Sequence, residues 1–393
     1  MRKVFLLGVL VFLLGLGISG WVQAEEGVTD TEIVIGSHQD LSGPIAGWGT
    51  QVKLGLEMRA REINEAGGIN GRKIRLVIED NAYDPKKAIM VTNKMITRDQ
   101  VFAFVGNMGS PTAGATKPII SGKKIPQMFP LTAASLFFDP YDRYSFGGWT
   151  PYYDQARSIV KYFVEKKGLT KFGLLYQDDE MGDIMKKGME DQLAVHKLKP
   201  IAEESYKRGD TVFSTQIAKL KKADVQVVVL ATVIRETVGA LKEIKQLNWN
   251  VEAVGMSPAY MHMVLDLCLK SGFSPNGFYA TGQTPYIYPD SPIASIRAFC
   301  KKHKEWFGKD PDIPTIAGYT GVDFFAKVAT KVGKNLTRER WIDAAENYGV
   351  YKDEHFGGTD IRFTPTNHQG SFNAILTQVQ NNKFVRIADL SYK

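Results

Sequence analysis

Cysteine is scarce in this sequence, which has only Cys268 and Cys300 among its 393 residues. Two thiols so far apart exclude a CxxC redox motif and the clustered cysteines of a structural zinc site. In an oxidising compartment the two could form a disulfide. The sequence leaves that pairing open because it does not give the distance between their Cα atoms.

Signatures of several enzyme classes are also missing. The six histidines show no HExxH or HxxxH spacing, and no Walker phosphate loop is present. Residues 255–259 resemble a nucleophile elbow but lack its final glycine. The acidic residues 178–180 are better explained as the start of a helix than as metal ligands. We therefore expect a protein that is not an enzyme and that uses no cofactor and no metal.

The N-terminus has the pattern of a secretory signal peptide. Arg2 and Lys3 precede an uncharged apolar run at residues 4–18, and residues 22–24 end in Ala24, a small residue. The alternative is a membrane anchor, but the run is short for the about 20 residues that span a bilayer. No cysteine follows the run, so a lipid anchor is not expected. We predict that residues 1–24 are removed and that a soluble protein reaches the periplasm.

The rest of the chain predicts an α/β protein with two lobes. It is too long for one ordinary core, and its 44% hydrophobic and 23% charged residues are typical of a globular protein. Apolar runs such as residues 101–105 and 225–231 read as strands buried on both faces, and helical patterns separate them. This alternation indicates doubly wound parallel sheets. The series restarts near residue 150, which predicts a second lobe built like the first.

Six segments, taken in order, resemble the periplasmic binding proteins of the leucine/isoleucine/valine-binding type. They are residues 40–49 (DLSGPIAGWG), 62–71 (EINEAGGING), 79–85 (EDNAYDP), 105–110 (VGNMGS), 129–133 (FPLTA) and 176–182 (YQDDEMG). The resemblance implies the periplasmic-binding-protein type I fold, in which three crossover segments join the two lobes. On this basis residues 25–148 and 282–357 form lobe 1, and residues 149–281 and 358–393 form lobe 2.

The same resemblance implies a ligand site in lobe 1. Ser110 follows a buried strand and precedes Pro111, and one interpretation is that it caps the helix and has no other role. The family match favours a second role, in which Ser110 and nearby N–H groups hold a ligand carboxylate at the positive end of the helix. Thr132, Ala133 and Ala134 are then expected on the same carboxylate. Tight packing is the alternative for these small residues.

Further ligand contacts are implied on both sides of the cleft. Trp48 matches a pocket-wall tryptophan, with packing inside its own lobe as the alternative. Tyr152 and Tyr153 follow the first crossing, and one of them is expected to face the cleft, with Tyr153 taken as the candidate. Ser257 occupies the position of a second-lobe contact in the family, and Met181 and Val233 stand where the family has aromatic residues that clasp the ligand.

Ser257 marks a departure from the amino-acid binders, in which an acid at this loop pairs with the ligand ammonium. A desolvated ammonium without a carboxylate partner is costly. The ligand is therefore expected to be either a hydrophobic or branched-chain amino acid, held by another acid such as Asp154 or Glu236, or an aromatic or aliphatic organic acid.

The predicted function is the substrate-binding component of an ABC importer, which closes on a small carboxylate ligand and delivers it to a permease in the inner membrane. A ligand-sensing protein for a membrane receptor is the alternative. The formal net charge is +7, but the basic residues are dispersed, so no nucleic-acid partner is expected. We expect a monomer.

Overall fold

The computed structural model describes residues 25–392, so the predicted signal peptide at residues 1–24 lies outside the described residues. The strands are β1 (Glu32–Gln39), β2 (Lys73–Asp80), β3 (Ala103–Val105), β4 (Gln127–Met128), β5 (Ser145–Phe146), β6 (Phe172–Gln177), β7 (Ala202–Tyr206), β8 (Val227–Ala231), β9 (Glu252–Gly255), β10 (Tyr279–Gly282), β11 (Ala374–Gln380) and β12 (Lys383–Leu390). The helices are α1 (Ala46–Glu65), α2 (Pro85–Thr97), α3 (Ser110–Gly122), α4 (Tyr152–Lys167), α5 (Glu180–Val195), α6 (Ser214–Lys222), α7 (Ile234–Gln246), α8 (His262–Lys270), α9 (Ala294–Phe307), α10 (Ile313–Val332) and α11 (Arg338–Glu346).

The first lobe contains a five-stranded parallel sheet in the order β2-β1-β3-β4-β5. The chain runs outward from β1 to β2 and then returns to β3 on the other side of β1. The loops after β1 and β3 therefore diverge, and a crevice opens between them at the carboxyl ends of the strands. Such a switch point is where open α/β sheets bind their ligands.

The second lobe repeats this order. Its seven-stranded sheet runs β12-β11-β10-β9-β8-β6-β7, and β6 to β10 are parallel with a second switch point between β6 and β8. The terminal strands β11 and β12 add an antiparallel hairpin at one edge. The structure thus confirms the predicted α/β fold with two doubly wound lobes. The sequence indicates terminal strands at residues 371–379 and 383–389, but their antiparallel pairing was not part of the predicted fold.

Three segments cross between the lobes, at residues 147–151, 283–293 and 347–373. After the second crossing, α10 returns to the first lobe and packs closely on α1. Methyl groups at Gly55 of α1 or Gly318 of α10 would overlap backbone atoms of the opposite helix. The proposed lobe boundaries fall in the first and third crossings and at the last residue of β10, and they remain predictions.

The two cysteines are free thiols in this structure. Cys268 lies in α8, Cys300 lies in α9, and both are buried. Burial raises the pKa of Cys268 to about 12 and that of Cys300 to about 11. The disulfide that the sequence left open is therefore not formed here.

Within residues 25–392, none of the helices combines the length and the apolar character that a membrane crossing requires.

Candidate functional site

A cavity of about 1000 Å³, including the space at its mouth, lies between the two lobes. The segments that follow β1 and β3 contribute Trp48 and Ser110, and those that follow β6 and β8 contribute Met181 and Val233. Both switch points therefore open into the same cavity, as the fold predicts. Among the described residues that line it there is no Lys, Arg or His, and Asp353 is the one acid.

The polar end of the cavity is built around two hydroxyl groups. The Oγ of Ser110 and the Oγ1 of Thr132 are 2.6 Å apart and buried. Ser110 is the first residue of α3, and Gly109 takes the capping position with φ of +91°. Ser110 is therefore not the N-cap, which was one of its two predicted roles. A Cβ on Gly109 would lie 2.6 Å from the ring of Tyr83, so this turn requires glycine.

Tyr152 completes this end of the cavity. Burial raises the pKa of Tyr152, and hydrogen bonding to the Ala133 backbone and to the Thr132 and Ser110 hydroxyls opposes the rise. Its phenol group therefore lies beside these three residues. The backbone N–H of Tyr152 also donates to the carbonyl oxygen of Ala133 over 2.9 Å. The result is a cluster of neutral hydrogen-bond donors at the N-terminus of α3, where the helix dipole favours an anion.

The structure does not bring Tyr153 to this cavity, contrary to the prediction. Its hydroxyl donates to the Oδ2 of Asp191 on α5 over 2.6 Å. Successive residues of a helix are rotated by about 100°, so Tyr152 and Tyr153 point in different directions. Of the two tyrosines that follow the first crossing, Tyr152 lines the cavity and Tyr153 does not.

Ala134 also lies outside the cavity lining. Its backbone N–H donates to the Oγ1 of Thr132 over 3.1 Å, and its side chain packs against Ala113 and Phe137. Thr132 and Ala133, by contrast, line the cavity as predicted. Ala134 thus holds the Thr132 hydroxyl in place from behind.

Trp48 lines the cavity from the first turn of α1. Its Nε1–H donates to the carbonyl oxygen of Pro258 over 3.0 Å. Pro258 belongs to the turn after β9, so this bond joins the two lobes. Packing inside its own lobe, the alternative interpretation of Trp48, does not describe this position.

The three residues predicted from the second lobe, Met181, Val233 and Ser257, all line the cavity. The backbone N–H of Ser257 donates to the Oε1 of Gln155 over 3.0 Å, and the hydroxyl of Thr281 donates to the same oxygen over 2.8 Å. The buried Gln155 therefore fixes the loop after β9 relative to β10 and α4.

The profile of a family described as "Periplasmic binding protein" matches residues 32–383. This chain belongs to that family. The resemblance proposed from the sequence is therefore confirmed.

Curated relatives of this periplasmic binding protein carry similar names. The Leu/Ile/Val-binding protein of Escherichia coli (strain K12) is 27% identical over 222 residues, which are 56% of this chain and 58% of that protein. The match thus spans less than two thirds of that relative. The Leu/Ile/Val-binding protein homolog 2 of Brucella abortus (strain 2308) is 27% identical over 79% of this chain and 81% of its own length.

Solved structures share the fold of this periplasmic binding protein. A possible leucine/isoleucine/valine-binding protein from Rhodopirellula baltica SH 1 superposes with a TM-score of 0.81 at 20% identity, over 91% of this chain and 96% of that one. A fatty acid ABC transporter substrate-binding protein from Thermomonospora curvata gives 0.83 at 22% identity, over 94% of each chain.

Neither acid proposed as an ammonium partner lines the cavity of this binding protein. The Oδ2 of Asp154 accepts a hydrogen bond from Gln369 at 3.4 Å. Glu236 is buried in the first turn of α7, and its Oε2 has no hydrogen-bond partner. Burial raises the pKa of Glu236 to about 6. Both carboxyl groups therefore lie outside the cavity lining.

One wall of the cavity was not predicted. Helix α10 contributes Ile313, Ile316, Ala317 and Thr320, which recur at helical spacing. The strongly apolar pattern of α10 signals a buried helix, but nearly every face of it is buried. The pattern therefore could not tell which face a ligand would meet.

Asp353 in the third crossing is a second unpredicted lining residue. Its carboxylate accepts N–H bonds from His355 at 3.1 Å, Phe356 at 3.0 Å and Gly358 at 3.4 Å. Burial raises the pKa of Asp353, and these backbone bonds oppose the rise. Nothing in its sequence neighbourhood had pointed to the cavity.

A further contact joins the lobes beside the cavity. The guanidinium of Arg208 lies 4.9 Å from the ring centroid of Tyr83 and pairs with Asp179 at 3.0 Å. Tyr83 belongs to the first lobe, whereas Arg208 and Asp179 belong to the second. This cation–π contact is made only while the lobes are together.

Proposed function

We propose that this chain is the substrate-binding component of an ABC importer and that it captures a small carboxylate-bearing ligand by closure of its two lobes. The observation that carries the proposal is the polar end of the cavity, where Ser110, Thr132 and Tyr152 meet at the N-terminus of α3. These donors suit an anionic head group, and the apolar remainder of the wall suits a hydrocarbon body.

The carboxylate would be held by neutral donors and not by a cation. Hydroxyl groups and helix N–H groups are neutral donors, so they need no counter-charge of their own. The hydrogen bonds that they make to a charged acceptor are stronger than those between neutral groups. Burial of the ligand body against side chains such as Leu131 and Ile316 would add about 25 cal/mol for each Å² removed from water. The head group therefore contributes to the binding free energy through hydrogen bonds, and the body contributes through burial of apolar surface.

Binding would couple to closure of the cleft. The first-lobe donors Ser110 and Thr132 lie at one edge of the first sheet and can receive the carboxylate first. The second lobe then adds contacts that exist only when it approaches, from Tyr152, Met181, Val233 and Ser257. A ligand that gains these contacts shifts the population toward the closed state, which the permease would recognise.

The names of the relatives support the transport role. Two are called Leu/Ile/Val-binding proteins, and one structural neighbour is called a fatty acid ABC transporter substrate-binding protein. We extend to this chain their function in binding and delivery, without catalysis. The signal-like N-terminus supports a periplasmic location.

A thermal-shift screen of the exported chain, residues 25–393, tests the proposal. Carboxylate ligands that bind the folded state should raise the melting temperature by mass action. The methyl ester of each positive ligand is the matched control, because it keeps the body and loses the charge. A screen in which no carboxylate raises the melting temperature, or in which the esters bind as well as the acids, would refute the proposal.

Delivery to a permease needs a separate test. Deleting the gene should abolish high-affinity uptake of the radiolabelled ligand, and the intact gene should restore it. Normal uptake in the deletion strain would contradict the importer role even if the purified protein binds the ligand.

A further inference from the structure

We infer that the ligand is an apolar carboxylic acid without an α-ammonium group and therefore not an amino acid. The inference rests on the proposed function, because it takes the polar end around Ser110 as the carboxylate site. It follows from the positions of the acids around the cavity and from the hydrogen bonds that these acids already make.

An amino acid carries its ammonium on the carbon next to its carboxylate. The partner of that ammonium therefore has to lie beside Ser110, Thr132 and Tyr152. The groups found there are hydroxyls and the backbone of Ala133, and none of them carries a negative charge. The loop after β9 also reaches the cavity, but it does so with Ser257, a neutral residue.

Asp179 is an acid close enough to act electrostatically on tyrosines at this end of the cavity. Its charge contributes to the raised pKa values of Tyr83 and Tyr152, after the larger effect of burial. Its carboxylate is nevertheless engaged, because it pairs with Arg208 at 3.0 Å and caps α5 by accepting from the N–H of Met181 at 3.1 Å. Asp179 does not line the cavity.

Asp353, the acid among the described lining residues, comes from a different segment of the chain. It belongs to the third crossing and packs beside Gly358 and Thr284. Three backbone N–H groups of its own loop are directed at its carboxylate, so it stabilises this turn. Asp353 is therefore not available as the counter-charge for an ammonium that is one carbon from Ser110.

The remainder of the wall favours a hydrocarbon at the α-carbon. A buried ammonium without a counter-charge loses its hydration, whereas a methylene at the same place gains from leaving water. We therefore expect an acid to bind at least about 100-fold more tightly than its α-amino counterpart. A site built for amino acids would show the opposite preference.

Isothermal titration calorimetry with matched pairs tests this inference. The pairs are 4-methylpentanoic acid with leucine, hexanoic acid with norleucine, 3-phenylpropanoic acid with phenylalanine, and octanoic acid with 2-aminooctanoic acid. Members of each pair share the carboxylate and the body and differ only in the ammonium. The variant Ser110→Ala, titrated with the best acid, checks that binding occurs at this end of the cavity.

The outcomes separate the inference from the proposed function. Binding of the acids with dissociation constants at least about 100-fold below those of the amino acids, reduced in Ser110→Ala, would support the inference. An amino acid that binds as tightly as its acid would overturn the inference and leave the carboxylate site in place. If neither member of any pair binds, or if Ser110→Ala has no effect, the inference and the proposed function both fail.

Discussion

The indole N–H of Trp48 donates a hydrogen bond to the carbonyl oxygen of Pro258 across 3.0 Å. Trp48 lies in the first turn of α1 in the first lobe, and Pro258 lies in the turn after β9 in the second lobe. The bond has to break when the lobes rotate apart. It therefore contributes to the free-energy difference between the closed and open states.

Trp48→Phe removes this hydrogen bond and keeps an aromatic ring in the cavity wall. The loss of one neutral hydrogen bond is worth about 0.5–1.5 kcal/mol. We expect affinity to fall about 3- to 10-fold, with a larger fraction of open protein in small-angle X-ray scattering of the ligand-bound sample. Trp306→Phe is the control. The ring of Trp306, on α9, stacks against Arg61 of α1, and Trp306 does not line the cavity. Equal affinities for wild type and Trp48→Phe would contradict the role of the bond.

Ser110→Ala removes a hydroxyl at the polar end of the cavity. A hydrogen bond to a charged group is worth about 1.5–3 kcal/mol. Calorimetry should therefore show a loss of affinity of roughly 10- to 150-fold. Ser121→Ala provides a matched control in the last turn of the same helix, where the hydroxyl bonds to Asp142. Unchanged binding by a folded Ser110→Ala protein would remove this residue from the site.

Gly47→Val is expected to keep the lobes apart. A Cβ at this position would lie 2.5 Å from the Sδ of Met263 and 3.0 Å from the Cδ1 of Ile234, both in the second lobe. Overpacking of this kind costs about 1–3 kcal/mol, and the cost falls on the closed state alone. Calorimetric affinity should drop while the melting temperature without ligand stays near that of wild type. Gly122→Val is the control, because a Cβ there meets nothing within 4 Å.

Glu236→Gln should raise stability at neutral pH. Burial raises the pKa of this carboxyl from 4.5 to about 6 in the folded protein. The folded state thus binds the proton more tightly than the unfolded state, and stability is lost as the pH rises from about 4.5 to about 6. A shift of this size corresponds to about 2 kcal/mol. Urea unfolding should show the variant to be more stable by about that amount at pH 7.5 and equal to wild type near pH 4.

Glu243→Gln, on the same helix and less buried, is the comparison for this pH series. It shows what the loss of a carboxyl charge on α7 does without deep burial. A Glu236→Gln variant whose stability difference from wild type does not change between pH 4 and pH 7.5 would show that the buried carboxyl has no net effect on folding.

The fold was accessible from the sequence, because the alternation of buried strands and helices is typical of doubly wound parallel sheets. The carboxyl ends of parallel strands meet at one edge of a sheet, and the segments after β3 and β4 place Ser110 and Thr132 there. The individual site residues, including Met181 and Val233 of the second lobe, were named from the family resemblance and not from the alternation.

The rest of the site depends on information that local patterns do not contain. Tyr152 lines the cavity and Tyr153 does not, because successive residues of α4 point in different directions. No hydrophobic period distinguishes two adjacent tyrosines. Asp353 reaches the cavity from the third crossing, which has neither strand nor helix to fix its direction. The lining residues of α10 belong to a helix that is buried on nearly all sides, so its sequence marks burial without marking the face.

The burial of Cys268 and Cys300 makes this protein well suited to conversion into a fluorescent sensor. Thiolates are the species that react with dyes, and the pKa values of about 12 and about 11 keep both native side chains protonated at neutral pH. A cysteine introduced at an exposed position such as Val212 would then be the one group to label. Val212 lies four residues after Arg208, which contacts Tyr83 across the cleft, and we expect a dye there to report closure of the lobes.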